Sequence, residues 1–477
     1  LRRQRQMCIR DRLKGALDRG DALLEAAGHW MPAVVALRFV WEVDLGRGHT
    51  DGIFEPKWED RVSHDLLQHL RVQVAEGAQV RQTTPGGERV RAKAHATSTK
   101  NPGAIIDKLW RKGAVLGRKL LCRANRKELE RVSDDLPGLE ECSNGAVPKQ
   151  NPDRTLSDEV RVIWDLRINN ADGHVLNHPP ALTPRHVEIA RAILWWDGRI
   201  PFVIVLMAKL DVAGAFTLVW LRPQDCGKVS TEIVVEAWGL EPEDALAAVS
   251  LTLEFGGCGS PGEWVPWSWA LQEAHSRCYP AEPLWNGAEC FSSSYLVDDQ
   301  GLYEALIGRR PWMSKRCAKK KTKALLGEGA ANDDKEDLEG KPGTEQTMWG
   351  LDFCTHPRKT IGMPEAKLIK AQYTYGDPEF DYGVMKVAVN SVQKARGLTE
   401  WFQIVQPTLR PWLKVFDGLL KGVKPGQVFI YRSEETKELW EEFADLIESF
   451  RIMVARPELW AQDFTVSLVG LLAPEER

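Results

Sequence analysis

The sequence has no cysteine framework. Its nine Cys are scattered and odd in number, and no C-x-x-C pair occurs. That excludes a disulfide-stapled domain and a zinc site of the usual spacing, and it predicts a reducing, intracellular setting, with cytoplasm and nucleus both open. No secretory leader pattern is present. No apolar run is long enough to cross a bilayer. Residues 13–43 are broken by Pro32, Arg38 and Glu42, and residues 201–221 carry Lys209 and Asp211 near their centre, where burial in lipid is costly. No membrane partner is therefore expected. Charge of one sign is also missing. Lys and Arg number 63 against 67 Asp and Glu, a net charge of −4, so the chain as a whole is not a strongly basic nucleic-acid binder. Protease motifs, integrase zinc spacing and internal repeats are absent, and there is no initiator Met. Residues 1–12, L-R-R-Q-R-Q-M-C-I-R-D-R, resemble translated adapter sequence. They are set aside as a non-native segment, and the chain is expected to be a fragment.

The 477 residues, 43% hydrophobic and 27% charged, suffice for several subdomains around a substantial core. The 19 Trp are expected mainly in packing. Basic residues cluster locally. Residues 309–323 hold eight Lys or Arg and no acid, and residues 101–131 hold nine against three acids. Residues 13–154 read as a helical, basic extension, with an amphipathic helix over 58–74 and basic helices over 105–132. A segment rich in Asp, Pro, Asn and Gly at 133–155 marks the boundary to the next region. Alternation of Val160, Val162 and Trp164 with Arg161, Ile163 and Asp165 predicts a strand. Thr183, with Pro184 in the first turn, is a candidate cap for a helix running through Ile193.

Two features carry chemistry. Residues 295–300 read Y-L-V-D-D-Q before Gly301, the pattern of a hairpin tip bearing adjacent carboxylates, Asp298 and Asp299. Such carboxylates repel one another, and a hard divalent cation offsets the repulsion. A third carboxylate, Asp211, ends the apolar run 202–208 in K-L-D-V-A-G-A-F and lies 87 residues before Asp298. Two-metal phosphoryl transfer needs carboxylates from separate strand ends.

With these residues in place, about 155–420 of the chain resembles the reverse transcriptases of retroelements. Asp211 matches the family's first palm aspartate, and Asp298 and Asp299 match its x-D-D motif. V-R-V-I-W-D-L-R-I-N-N at 160–170 resembles the fingers motif R-x-x-x-D-x-R-x-x-N. The resemblance implies that Arg161 contacts the nucleotide triphosphate, while Asp165, Arg167 and Asn170 position loop and template. Phe216, five residues after Asp211, falls where an aromatic ring blocks a 2′-hydroxyl, and small Ala213–Ala215 let the backbone approach the phosphates. F-G-G-C-G-S-P-G at 255–262 resembles the next motif. It implies Phe255 and Gly256 against the incoming nucleotide, with Gly259, Ser260 and Pro261 opening a template-tracking helix. Asn332 and Lys335 match an N-x-x-K segment whose lysine is a candidate general acid near the pyrophosphate. Trp349 and Gly350, in M-W-G-L-D-F, match the hairpin that grips the primer. Two departures stand out: Tyr295 lies one position earlier than the family's aromatic, and Gly214 replaces an acidic or polar residue.

The resemblance implies an α+β right-hand polymerase, with fingers at 155–208, palm at 209–367 and a helical thumb and connection at 368–477, ending before any ribonuclease H-like domain. It implies RNA or DNA template-primer and dNTPs as partners. It also implies two Mg²⁺ ions, or Mn²⁺, at Asp211 and Asp298 with Asp299 assisting. A non-catalytic nucleic-acid-binding relic and an RNA-dependent RNA polymerase stay open, although Phe216 speaks against the second. A nucleotide cyclase is excluded by the missing G-G-D/E-E-F turn. Oligomeric state, host and natural template stay open.

Overall fold

The computed structural model describes residues 2–43, 51–80, 88–91, 102–133, 135–150, 156–233, 245–280, 289–333 and 340–465. Helices and several small antiparallel sheets make an α+β protein. The chain divides into two units interleaved in sequence. The first is Leu1–Thr183, Asp211–Cys278 and Cys317–Asp333; the second is Pro184–Leu210, Tyr279–Arg316 and Asp334–Arg477. No helix among the described residues is long and apolar enough to cross a membrane.

The first unit is built on a three-stranded antiparallel sheet in which Leu246–Ser250 lies between Lys119–Arg123 and Ser230–Ile233. The central strand, L-A-A-V-S, is buried along its whole length, so small side chains suit it. The edge strand Lys119–Arg123 departs from the helical expectation for 105–132. Its K-L-L-C-R pattern is short and apolar, and long-range pairing (Lys119 opposite Ser250, Arg123 opposite Leu246) overrides local propensity. A hairpin of Ser143–Gln150 and Leu156–Asp165 follows. There the expected alternation holds: Val160 and Trp164 are buried while Arg161 and Ile163 are exposed. The helix Ser260–Ser276 buries Trp264 and Trp267 completely. The helix His64–Glu76 braces it, because Gln73 accepts from the Trp267 indole (2.5 Å) and donates to the Glu263 carboxylate (2.9 Å). The expected 58–74 helix thus starts at His64.

In the second unit the strands Val205–Asp211, Asp299–Ala305 and Ser293–Leu296 form one sheet in that order. The helix His186–Arg199 packs Val187, Ile193 and Trp196 into the core with Tyr303. It begins after Arg185, not at Thr183, because the Glu188 carboxylate accepts from the Arg185 N–H (2.6 Å) and fixes the start there. A four-stranded sheet (Ala461–Asp463, Thr360–Gly362, Leu351–Cys354, Glu345–Met348) and the helices Glu365–Tyr375, Val389–Val405 and Lys437–Val454 complete the unit. Tyr375 stacks on Phe450 at 4.6 Å.

The basic run at 309–323 is not one solvated face. It lies largely on the helix Arg310–Leu326. Arg310 is 1% exposed and Lys321 8% exposed, while Lys319 and Lys323 pair with Asp333.

Candidate active-site residues

In the first unit, Asp211 leads into a turn at Gly214, whose φ of +66° is the left-handed conformation that glycine takes without strain. The turn carries Ala215 and Phe216 inward. Phe216 is 5% exposed, and its ring lies 4.6 Å from that of Phe255, which is half exposed. Two residues 39 positions apart, each expected at a nucleotide, therefore meet. The loop carrying Phe255 is held from the 160–170 segment. Asn170 donates to the Gly256 carbonyl (2.7 Å) and accepts from the Cys258 N–H (2.9 Å). Gly256 has a φ of +106°, and a Cβ there would sit 2.8 Å from the Trp164 carbonyl oxygen. Gly259 and Ser260 open the helix, with Pro261 in its first turn; the Ser260 hydroxyl donates to the Glu254 carbonyl (2.8 Å). Asp165 and Arg167 pair bidentately at 2.7 and 2.5 Å at the surface. Arg161 stands exposed on the hairpin, opposite Val147.

Asp211 is held within the same unit by Asn332. The Asn332 amide donates to Asp211 Oδ2 (2.7 Å) and its backbone N–H to the Asp211 carbonyl (3.0 Å). Nothing in the N-x-x-K pattern of the sequence signals this Asn332 contact. Lys335 lies outside the described residues.

Asp298 and Asp299 belong to the second unit. Leu296 pairs with Asp299 and Tyr295 with Gln300, leaving Val297 and Asp298 as a two-residue turn. Val297 has a φ of 57°. A β-branched residue there is strained, at a cost of roughly 1–3 kcal/mol. The hairpin over-determines this turn. The buried Tyr295 hydroxyl donates to the Gln300 side chain (2.8 Å), and the Trp349 indole donates to the Asp299 carbonyl (3.4 Å). The expected primer-contact turn Trp349-Gly350 thus touches the strand that starts at Asp299. Both of its residues have positive φ, 49° and 80°. Asp298 is partly buried and Asp299 exposed.

Around the Trp349-Gly350 turn lie His186, Phe353, Trp401 and Lys367, whose sequence contexts mark none of them for a role. His186 faces Trp349, Phe353 and Trp401, and a ring nitrogen meets the Trp349 carbonyl at 3.3 Å. Lys367 Nζ lies 3.4 Å from the Trp401 ring centroid. Burial, with Lys370 nearby, lowers its pKa to about 8, against the pull of Asp352. Burial likewise pulls His186 down to about 4, opposed by the Trp349 carbonyl and aided by Lys367. A base with a depressed folded pKa stays neutral in the fold while the unfolded chain takes up a proton. Its stabilising share is therefore present above pH 6.5 and lost as pH falls from 6.5 to 4. We expect acid unfolding of this unit to lose up to about 3 kcal/mol across that window. His186→Leu should flatten the loss, as followed by denaturant titration at pH 7 and pH 4.5. An unchanged pH slope in the variant would remove the assignment.

Asp298 and Asp299 in the second unit, and separately Asp211 in the first, carry oxygen donors of the type a hard cation takes. Within neither unit, among the described residues, do three or more His, Cys, Asp or Glu side chains gather as a metal-holding group.

No family model matches the chain. No curated protein matches it either. Among solved structures, it is similar to a foamy viral protease-reverse transcriptase in complex with double-stranded DNA. The identity is 13% and the TM-score 0.43, with 82% of this chain and 59% of that chain covered. The chain thus spans less than two thirds of that neighbour's length, and so low a likeness fixes neither fold nor activity.

Proposed function

We propose that the chain is a reverse transcriptase-like polymerase with a right-hand architecture, adding dNTPs to a primer 3′-end on an RNA or DNA template by two-metal phosphoryl transfer. The observation that carries this reading is the Phe216–Phe255 ring contact, five residues after Asp211 and tied down by Asn170. It supplies an aromatic wall of the kind that selects a sugar. Asp211 and Asp298, with Asp299 assisting, would hold two Mg²⁺ ions; such ions supply activation of the 3′-hydroxyl and neutralise charge on the departing pyrophosphate. The protein's own side chains do the remaining work. Asn332 orients the Asp211 carboxylate. The strained Val297 turn presents Asp298. Arg161, exposed and forked, is suited to the triphosphate. Trp349 and Gly350 take the primer strand. Template contacts fall mainly on the backbone and should weaken with salt.

The test is sugar selection. Phe216→Ala should relax discrimination between dNTP and NTP by roughly 10- to 100-fold, the scale of pocket-based rejection of a hydroxyl. The readout is single-nucleotide incorporation with matched dNTP and NTP. Unchanged selectivity in a folded, active variant would remove the steric role of Phe216.

A further inference from the structure

The first unit gives up the chain after Cys278 and takes it back at Cys317. Between them runs Tyr279–Arg316, which belongs to the second unit and carries the hairpin with Asp298 and Asp299. The two residues that bound this excursion are both cysteines, and their side chains meet: the Cys317 thiol and the Cys278 sulfur are in hydrogen-bond contact. Both are free thiols and both are partly exposed, so a small solute can reach them. Cys122, Cys142 and Cys226, by contrast, are buried.

Each sulfur is presented from a braced element. Cys278 lies just past the helix Ser260–Ser276, where its N–H donates to the His275 carbonyl (3.0 Å) and its thiol to the Ala274 carbonyl (3.4 Å). That helix end is tied to the 60–63 segment. Glu273 accepts from the Ser63 N–H (2.6 Å) and hydroxyl (3.0 Å), and Arg277 donates to the Asp60 carbonyl (2.9 Å). Cys317 sits on the helix Arg310–Leu326, with Arg61 and Lys320 near its sulfur. Burial, and then the Cys278 contact, push the Cys317 thiol up to about 12, while those two cations pull the other way. Cys317 is thus the member that holds its proton, which leaves Cys278 as the sulfur that attacks first and Cys317 as the one that resolves.

We propose that Cys278 and Cys317 are a reversible redox site, oxidised by a low-molecular-weight disulfide such as glutathione disulfide to a bridge that closes Tyr279–Arg316 into a covalent loop. The Cys278 thiolate attacks one glutathione sulfur, forming a mixed disulfide and releasing one glutathione thiolate, which takes up a proton. Cys317 then loses its proton and attacks the Cys278 sulfur. The Cys278–glutathione bond breaks, the Cys278–Cys317 bond forms, and the second glutathione leaves. Two protein thiols are oxidised, one glutathione disulfide is reduced to two thiols, and excess reduced glutathione runs the exchange backwards. Thiols already in hydrogen-bond contact lie within the side-chain reach that bridging requires. A transient bridge is the form a disulfide takes in a reducing setting. Neither sulfur is assigned to nucleotide, primer or metal, so the inference stands whether or not the chain is a polymerase.

The experiment equilibrates the full chain in glutathione buffers of rising disulfide content, then quenches with acid, alkylates and maps peptides without reduction. The Cys278–Cys317 cross-linked peptide should accumulate at least about 10-fold faster in native buffer than in urea, because the fold holds the second thiol beside the first. Excess reduced glutathione should remove it. Cys317→Ser should stop at a glutathione adduct on Cys278, and Cys278→Ser should form no bridge at Cys317. Cys290→Ser changes an exposed thiol outside the pair and should leave the cross-link yield within about 2-fold of wild type. No Cys278–Cys317 peptide from folded wild type, under conditions that put glutathione on Cys290, overturns the proposal. So does a cross-link that forms as fast in urea, since chain connectivity and not the folded contact would then be making it. A Cys317→Ser protein that leaves Cys278 unmodified while Cys290 is modified overturns the assigned order of attack and with it the site as proposed.

Discussion

Asp298→Ala is expected to reduce primer extension on an RNA template with dNTPs and Mg²⁺ by about 10³-fold or more. Asp298 closes a two-residue turn in which Val297 takes a φ of 57°. Such a conformation persists only where surrounding contacts hold it, here the Tyr295–Gln300 hydrogen bond and the Trp349 indole on the Asp299 carbonyl. Alanine keeps this backbone and deletes one hard oxygen donor. Were Asp298 to hold a metal ion as proposed, its loss would forfeit several kcal/mol of transition-state charge stabilisation, and each 1.36 kcal/mol is tenfold in rate. The fold should not suffer. Asp299 is the adjacent carboxylate, and removing one of two neighbouring charges relieves repulsion, so stability should stay within about 0.5 kcal/mol of wild type. Asp299→Ala, at an exposed position, should lose less activity than Asp298→Ala. A folded Asp298→Ala protein extending at the wild-type rate would end the two-metal proposal. If neither protein extends a primer while both bind RNA, the non-catalytic relic becomes the better reading.

Much of this arrangement was legible in the sequence, because local patterns carry it. A run of apolar residues ending in an aspartate, a D-D pair before glycine, alternation at 160–165 and a glycine-rich segment before Ser260 each fix a strand end, a hairpin tip, a half-buried strand and a helix start. What stayed hidden depends on partners far along the chain. Lys119–Arg123 becomes a strand through Leu246–Ser250, more than a hundred residues away. Asn170 holds Gly256 and Cys258, and Asn332 holds Asp211, across similar separations. Charge runs were the least readable feature. A row of Lys and Arg gives no sign of which members turn inward, and Lys119, Arg310 and Lys321 do so because single acids or aromatic faces receive them.

Arg310→Met is expected to destabilise the second unit by about 3–5 kcal/mol, the range for breaking a buried pair by removing one partner. The guanidinium is 1% exposed and fully engaged. Nε donates to Glu304 (2.5 Å), Nη1 to the Glu289 carbonyl (2.9 Å) and Nη2 to the Cys290 carbonyl (2.6 Å), with the Trp196 ring 4.6 Å away. Methionine fills part of the volume but leaves two carbonyls and a carboxylate buried. Glu304 then decides the pH behaviour. Burial already pushes its carboxyl up to about 7, against the pull of Arg310 and the Ser292 N–H. An acid with a raised folded pKa holds a proton that the unfolded chain releases, so its share of stability is lost as pH rises from 4.5 towards 7. Without Arg310 the upper limit of that window moves higher. The variant should therefore regain stability at pH 5 relative to pH 8, and Glu304→Leu combined with Arg310→Met should recover most of the loss, since an apolar replacement of a whole buried pair is often neutral. Urea unfolding at the two pH values measures both effects. A variant as stable as wild type at pH 8 would show that this pair does not hold the strand. The consequence reaches function because Glu304 lies on the strand Asp299–Ala305, whose first residue is one of the two adjacent carboxylates. A single buried guanidinium thus anchors the far end of the strand that presents the D-D turn, and its loss should lower extension activity without touching any group that meets the nucleotide.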